Sequence, residues 1–560
     1  MKNLYTTICL FVLFFVQHPL NAQEILVVEP GLGTLNAAIN QYGGERIYQL
    51  KAGQWYQLDG IIENVGYHLQ IIGEIPEGDG FPATVQTNVD AGGAVFQRMF
   101  DAKGDITLKN IYFVNADLMG TYGMRFLQQN TDGARTYIQN CIMDPAGIAD
   151  LVFVASVQTK TYLYDNLILR HGHLNHYWDG QVVSHDAGQT EPVDTLIVEN
   201  NTIVSAGTGI HNSGFAKKVD NYIRFNHNTI VMQKVNLDWS AWDEEYYFTN
   251  NLLFDAASRP TPHAWNVSMP GIDPAKPNFP LIMADTVPGE QLPSSRIQYV
   301  QYNLLYRNPK LYELTDELNA MAAADGKSLM YMKPLMWPID SIDVSREVCM
   351  FNNEEAFPFF RYGNTFENVD PQWEEELIYE YSDKLVEWVR HVAMNDMGYQ
   401  TPPASQWPDW HWDLDGDPSI NEAWPVFNGR YTNPEILTGS IGGLPLGDLN
   451  WYPEAKAIWL ENKELFLAHM HAANTERLII TSAKQLTAHP EITIFPNPAN
   501  DRISLNIVAD EINLFDLMGR HLRSAEKVRH INVSDLQNGI YLIRIKTGPD
   551  LSTQKVIIAR

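Results

Sequence analysis

Residues 196–204 read LIVENNTIV, and residues 223–231 read IRFNHNTIV. Each has a few alternating residues, an Asn, and then three mostly apolar residues. Five further segments share the shape: ITLKNIYF at 106–113, TYIQNCIM at 136–143, TYLYDNLIL at 161–169, YFTNNLLF at 247–254 and VQYNLLY at 300–306. The repeated residues are Asn110, Asn140, Asn166, Asn201, Asn228, Asn251 and Asn303, so the gaps are 30, 26, 35, 27, 23 and 52. An uneven period around a constant strand-length core marks a solenoid whose loops vary while its strands do not. Heptads and longer helical periods are absent, which argues against a helical array.

Stacked coils place like residues in columns about 4.8 Å apart. Asn suits a column at a turn. It tolerates the left-handed conformation, and its amide can donate to one neighbour while accepting from the other. Two residues further on, apart from small register slips, lie Tyr112, Ile142, Ile168, Ile203, Ile230, Leu253 and Leu304 or Tyr306. Such a column would fill the interior of a parallel β-helix.

The pattern resembles the right-handed parallel β-helix (pectate-lyase-like) superfamily over residues 25 to 310. The opening GTLNAAINQYGGERIYQLKAGQWYQLDG, followed by HLQIIGE, supports this. Leu35, Ala38 and Ile39 read as one face of a short cap helix, needed because an open solenoid end exposes core and strand edges. The expected fold class is all-β: a right-handed parallel β-helix with helical and irregular C-terminal additions, plus a small C-terminal β-sandwich. The fold hosts many activities, so it does not itself specify one.

Residues 1–22 read as a secretory signal peptide. Lys2 precedes the apolar run ICLFVLFFV, and Leu20-Asn21-Ala22 is a plausible cleavage site. The run is too short to span a bilayer, and no later stretch holds eighteen consecutive apolar residues. Residues 23–310 are the solenoid, with a Pro-rich insertion at about 255–299. Residues 311–470 are expected to supply a further coil near Asn364, an amphipathic helix within 371–392 and a helix starting at Pro453. These would pack on the β-helix. Residues 471–490 read as a linker.

Residues 491–560 are a compact all-β unit. They resemble the type A C-terminal sorting domain of the type IX secretion system of Bacteroidetes. The matching residues are Pro496-Asn497-Pro498-Ala499, Asp516 through Gly519-Arg520, Leu536 with Gly539-Ile540-Tyr541, and Lys555-Val556-Ile557-Ile558. The resemblance implies export to the cell surface or medium and contact with the type IX machinery. It does not say what the rest of the chain does.

The net charge of −28 excludes DNA and RNA as expected partners, since phosphate binding needs clustered Lys and Arg. Residues 492–560 carry nine Lys or Arg and seven Asp or Glu, so the acidity belongs to the preceding part. An acidic polysaccharide would be repelled unless a local basic cleft or bound cation reversed the field. Of three cysteines, Cys141 falls in an apolar strand and is expected to be a buried free thiol.

The densest polar stretch is LRHGHLNHYWDGQVVSHD at 169–186, with four of the sixteen histidines within fifteen positions. Alignment of the coils on their Asn places Asp144, Arg170, Ser205 and Asp255 in one outward column, with His171 one place further. The expected partner is an extracellular polysaccharide, and three readings compete. A lyase acting on uronic acids needs a neutralised carboxylate, a base and an acid. Arg170 would neutralise or act as base, as Arg does in the superfamily resembled. His171 or His173 would take the proton, and Asp144 would hold a bridging Ca²⁺. A glycosidase would pair Asp144 with Asp179. Transition-metal binding would use His173, His176 and Asp179 or His185.

Trp178, Arg224, Trp410 and Trp412 are candidate substrate contacts, Arg224 sharing an exposed column with Tyr162. Asp413, Asp415 and Asp417 in DLDGD alternate as Ca²⁺ ligands do, although Pro418 and Trp424 stand where an EF-hand needs Gly and an acid. A non-catalytic surface protein that binds carbohydrate remains the alternative to an enzyme. A monomer is expected.

Overall fold

The computed structural model describes residues 24–478 and 494–559 except 45, 79, 174–178, 186–191, 213–219, 236, 242, 263–281, 286–295, 334, 336–359, 414–426, 516–520 and 548–549. The signal-peptide reading and most of the linker reading lie outside the described residues. The chain divides into two units, 1–479 and 480–560.

The first unit is a parallel β-helix. Among the described residues, two sheets of eleven strands and one of eight run along it. The first sheet begins at Glu24–Val28 and ends at Phe360–Gly363. The second begins at Gly31–Leu32 and ends at Phe366–Glu367. The third runs from Ile62–Glu63 to Ile282–Asp285. Every pairing within these three sheets is parallel, each coil adding one strand to a sheet before the chain turns to the next. The Asn364 segment is a further coil, as the sequence indicated. The 255–299 insertion supplies the last strand of the third sheet, Ile282–Asp285.

The asparagine ladder is present. The Nδ2 of Asn166, Asn201, Asn228 and Asn251 donates to Oδ1 of the next Asn along, ending at Asn303, over 2.9–3.1 Å. Each Oδ1 also accepts the backbone N–H of the preceding rung. The ladder thus satisfies buried turn amides that the sheets leave unpaired.

The two earliest Asn residues are one place out of this register. Asn110 and Asn140 are themselves left-handed, whereas in later coils Asp165, Asn200, His227, Asn250 and Tyr302 take that conformation and the ladder Asn follows. Cys141 therefore fills the ladder position below Asn166, donating its N–H to Asn166 Oδ1 at 3.0 Å. The inward column is corrected accordingly to Phe113, Met143, Ile168, Ile203, Ile230, Leu253 and Leu305. Tyr112 and Ile142 instead pack on the outside with Tyr122. Cys141 is a buried free thiol whose pKa burial pushes up to about 12.

Phe100, Phe113 and Phe126 meet edge-on inside the solenoid with centroids 4.9–5.7 Å apart. Each ring so buried contributes about 1.5–3 kcal/mol. Helix α1, Thr34–Tyr42, closes the N-terminal end with Leu35 and Ile39 buried.

Among the described residues, four more α-helices follow: α2 at Pro309–Asp325, before the last coil, and α3 at Leu377–Asp396, α4 at Pro453–Glu461 and α5 at Lys463–His471 after it. Helix α3 buries Tyr381, Leu385, Trp388, Val389 and Val392, the face its sequence period indicates. Helix α2 is a structural addition to the sequence reading. Asn308 caps it and Pro309 occupies its first turn, the residues expected there.

The second unit is an antiparallel five-stranded sheet over Ile494–Ile558. Ile503, Ile512, Leu514, Ile543, Ile545 and Val556 form its core.

Candidate functional site

Asp144, Arg170, His171, Ser205 and Asp255 lie on one flank of the coils, but all five are buried. Arg170, next to last in the strand Leu167–His171, is left-handed, as are Ser205, next to last in Thr202–Ala206, and Asp255, just after Leu252–Phe254. Its Nε donates to Asp144 Oδ1 at 2.5 Å, and its Nη1 lies 3.3 Å from Asp413 Oδ2. The Arg170 and Asp144 side chains are each only 1% exposed. Burial works against the guanidinium charge, but Asp144, Tyr122 and Asp413 together outweigh it, so the Arg170 pKa is raised further. The Tyr122 hydroxyl, beside this pair, is pushed up to about 12, chiefly by burial. A guanidinium stands where a Ca²⁺ bound to Asp144 would have to sit, so the described donors do not fit a hard cation that needs six or more oxygens.

The neighbours are equally committed. Both ring nitrogens of buried His171 face backbone carbonyls, Gly147 O at 3.1 Å and Gln181 O at 2.8 Å. His173 is exposed, and its carbonyl accepts from Lys234 Nζ at 2.7 Å. Lys234 is buried near the rings of Trp388 and Trp410, and burial lowers its pKa to about 7.

Trp410 and Trp412 are buried rather than presented to solvent. Trp410 packs on Trp388 of α3, while Trp412 packs on Tyr381 and donates its backbone N–H to Ser205 Oγ. Trp178, His176, Asp415 and Asp417 lie outside the described residues. Arg170, Ser205 and Asp255 share one left-handed position on their coils, whereas Asp144 lies one place out of that register, beside Leu169, and meets Arg170 through its side chain; the segment 409–413 and helix α3 cover them.

Along the exposed face of the third sheet, cations sit on carboxylates: Arg98 on Asp101, Lys103 on Glu63, and Arg125 on Asp150. Such a ladder is locally near neutral.

An open recess of about 620 Å³ lies elsewhere, on the outer face of the first sheet. Helices α4 and α5 cover that sheet at Glu199 and beyond, and the recess opens where their cover stops. Its floor is Tyr137 of the strand Arg135–Gln139 with Tyr162 and Tyr164 of Lys160–Tyr164. These outward positions are fixed by the register Tyr137↔Tyr162 and Gln139↔Tyr164. The rings are half-buried. Tyr162 and Tyr164 are parallel within 14° at 6.3 Å, and Tyr137 lies 5.5 Å from Tyr164.

Charged groups rim this floor. Lys456 donates to Asp165 at 2.7 Å, and Lys463 reaches Glu199 at 2.5 Å. Glu199 also receives Arg224 at 3.1 Å, so Arg224 is buried beneath the rim and does not reach the opening. Burial opposes the Glu199 charge, but Arg224 and Lys463 hold its pKa below the usual range. Arg135 is exposed at the other end and has no ion pair among the described residues. The lining carries three basic and two acidic groups, reversing locally the sign of the whole chain. The sequence showed Tyr162 and Arg224 in one column. It did not show the wall supplied by residues nearly three hundred positions later.

Residues 493–559 match the secretion system C-terminal sorting domain family. The chain is therefore a parallel β-helix protein carrying a type IX sorting tail, exported across the outer membrane to the cell surface or extracellular space. No curated protein sequence matches it. Among solved structures it is similar to a PL6 family alginate lyase, AlyGC, at 14% identity and a TM-score of 0.25, covering 42% of this chain and 36% of that one. A mutant of the same enzyme matches at 13% identity and a TM-score of 0.24 over the same shares. The aligned part spans well under two thirds of those chains.

Among the described residues, no helix is long and apolar enough to cross a membrane.

Proposed function

We propose that this exported protein binds an acidic extracellular polysaccharide in the recess floored by Tyr137, Tyr162 and Tyr164. The observation that carries the reading is the adjoining tyrosine rings on two neighbouring coils, with an exposed Arg135 at their edge. The C–H face of a sugar ring stacks on an aromatic ring, while its hydroxyls need hydrogen-bonding groups at the periphery. Asp165, Glu199, Lys456 and Lys463 supply those groups. Arg135 supplies a cation for a uronate carboxylate.

Binding is favoured over cleavage because the groups at the floor are not tuned for proton transfer. A general base works best with a pKa near the operating pH. Burial raises Tyr164 away from neutrality, and Lys456 and Lys463 are each held by a carboxylate. Electrophoresis through gels containing alginate, pectate or neutral dextran tests the reading. Retardation by an acidic polymer that Tyr162→Ala removes is expected; equal mobility in every gel overturns it. Absorbance from a new carbon–carbon double bond in the polymer would replace binding with elimination.

A further inference from the structure

The interior of the solenoid holds a second polar cluster that the polysaccharide reading does not use. His185 ends the strand Gln181–His185, and His211 opens the neighbouring strand His211–Asn212 of the third sheet. Asp220 lies just before the strand Tyr222–Asn226 of the first sheet. Their side chains are 1%, 0% and 3% exposed. They meet at the inner corner between the two sheets, with the His211 ring 5.9 Å from the core residue Phe225.

Three features of this corner suit a metal. First, the Nε2 atoms of His185 and His211 face each other at 3.3 Å. Two imidazole nitrogens on one tetrahedral Zn²⁺, each about 2.0–2.1 Å from it, lie about 3.3–3.4 Å apart. Second, His211 Nδ1 is 2.9 Å from Asp238 Oδ1, and Asp238 also accepts from the Tyr246 hydroxyl. With Nδ1–H donated to the carboxylate, Nε2 presents its lone pair toward His185, the orientation that carboxylate–histidine pairs impose at metal sites. Third, the Asp238 carboxylate is fully buried between His211 and the Tyr246 hydroxyl, so a cation held on the far side of the His211 ring would add a favourable opposite charge.

Asp220 completes the set. Its Oδ1 accepts the Val193 N–H at 2.8 Å, and its Oδ2 lies 4.0 Å from His185 Nδ1. One ligand atom from each of His185, His211 and Asp220 lies within 4.8 Å of the other two. The Asp220 carboxylate must turn toward the pair to bind.

We infer that His185, His211 and Asp220 form a buried site for a divalent transition metal of the zinc class, which ties three successive coils together. The site is separate from the tyrosine recess. It also differs from the histidine set that sequence spacing suggests, sharing only His185 with it.

The test uses the full chain, stripped with a chelator and equilibrated with Zn²⁺ alone. Metal content after gel filtration and the thermal midpoint are measured for the wild type and for His185→Gln. Gln preserves a hydrogen-bonding group at 185, and its fold is checked by circular dichroism. His211→Ala serves as a second variant. The inference expects the wild type to retain one Zn²⁺ more than either folded variant and to gain thermal stability that His185→Gln does not gain. In the wild type, Co²⁺ should give the intense visible absorption of a tetrahedral site. Equal retention and equal thermal shifts in wild type and His185→Gln would overturn it, leaving a direct hydrogen bond between the two imidazoles.

Discussion

Arg170 and Asp144, 26 residues apart in sequence, form a buried ion pair at 2.5 Å, and Asp413 closes over the guanidinium from a segment more than two hundred residues later. The pair is part of the packing between the coils and their cover. Removing one partner leaves the other charged and buried, which costs about 3–5 kcal/mol. Arg170→Ala is therefore expected to lower the chemical-denaturation midpoint strongly. A double change of both residues to apolar side chains should lose less. Equal stability of wild type and Arg170→Ala would show that the pair is solvated.

The tyrosine recess predicts a salt-dependent ligand. Arg135→Gln should weaken retention by an acidic polysaccharide about tenfold and leave any residual retention by a neutral one unchanged. Raising ionic strength should weaken the wild type toward the variant, because an exposed cation is screened within about 8–10 Å at physiological salt. Dissociation constants at two salt concentrations check this. Tyr162→Ala should cost more than Arg135→Gln at high salt, where stacking persists.

Asp448 predicts a pH dependence of stability. Its carboxylate is buried against Thr202 and the N–H of Asn450, and burial raises its pKa from 3.8 to about 7. Between those two values the folded protein holds a proton that the unfolded chain has released. Stability at this residue therefore falls as pH rises through the window and is fully present below it. Asp448→Asn should flatten the decline in thermal midpoint between pH 4 and pH 7. Lys234 and Lys333 act in the next window, since burial lowers each to about 7. Above that value the unfolded chain holds the extra proton, so their contribution grows as pH rises toward 10.

The ladder predicts a graded cost. Asn228 donates to Val198 O at 2.8 Å and to Asn251, and its Oδ1 accepts both the backbone and side-chain amides of Asn201. Asn228→Ala strands several of these buried groups, each costing about 1–3 kcal/mol. Asn140→Ala should cost less, because Asn140 is exposed and among the described residues its side-chain amide meets only Asn110. Denaturant midpoints of the two variants give the comparison.

The tail forms its own compact unit with its own core. Deleting 480–560 should leave the β-helix folded but confined to the periplasm, which fractionation with an antibody to the coils reads directly.

The stacked coils, the cap helix, the ladder and the tail were legible in the amino-acid order. Each is written locally: a strand, an Asn, a turn, repeated until the register leaves one way to pile. Even there, the doublets Asn200-Asn201 and Asn250-Asn251 concealed which member carries the turn, and the earliest two coils were read one place out of step. What the order could not disclose is what lies over the coils. The covering of Arg170 by Asp413, the wall that Lys456 and Lys463 raise beside Tyr164, and the meeting of His185 with His211 and Asp220 depend on how non-repeating segments fit a finished solenoid. Period specifies neighbours along the stack, but the choice between an open column and a buried one is made by shape and desolvation across hundreds of residues. Only the folded chain decides it.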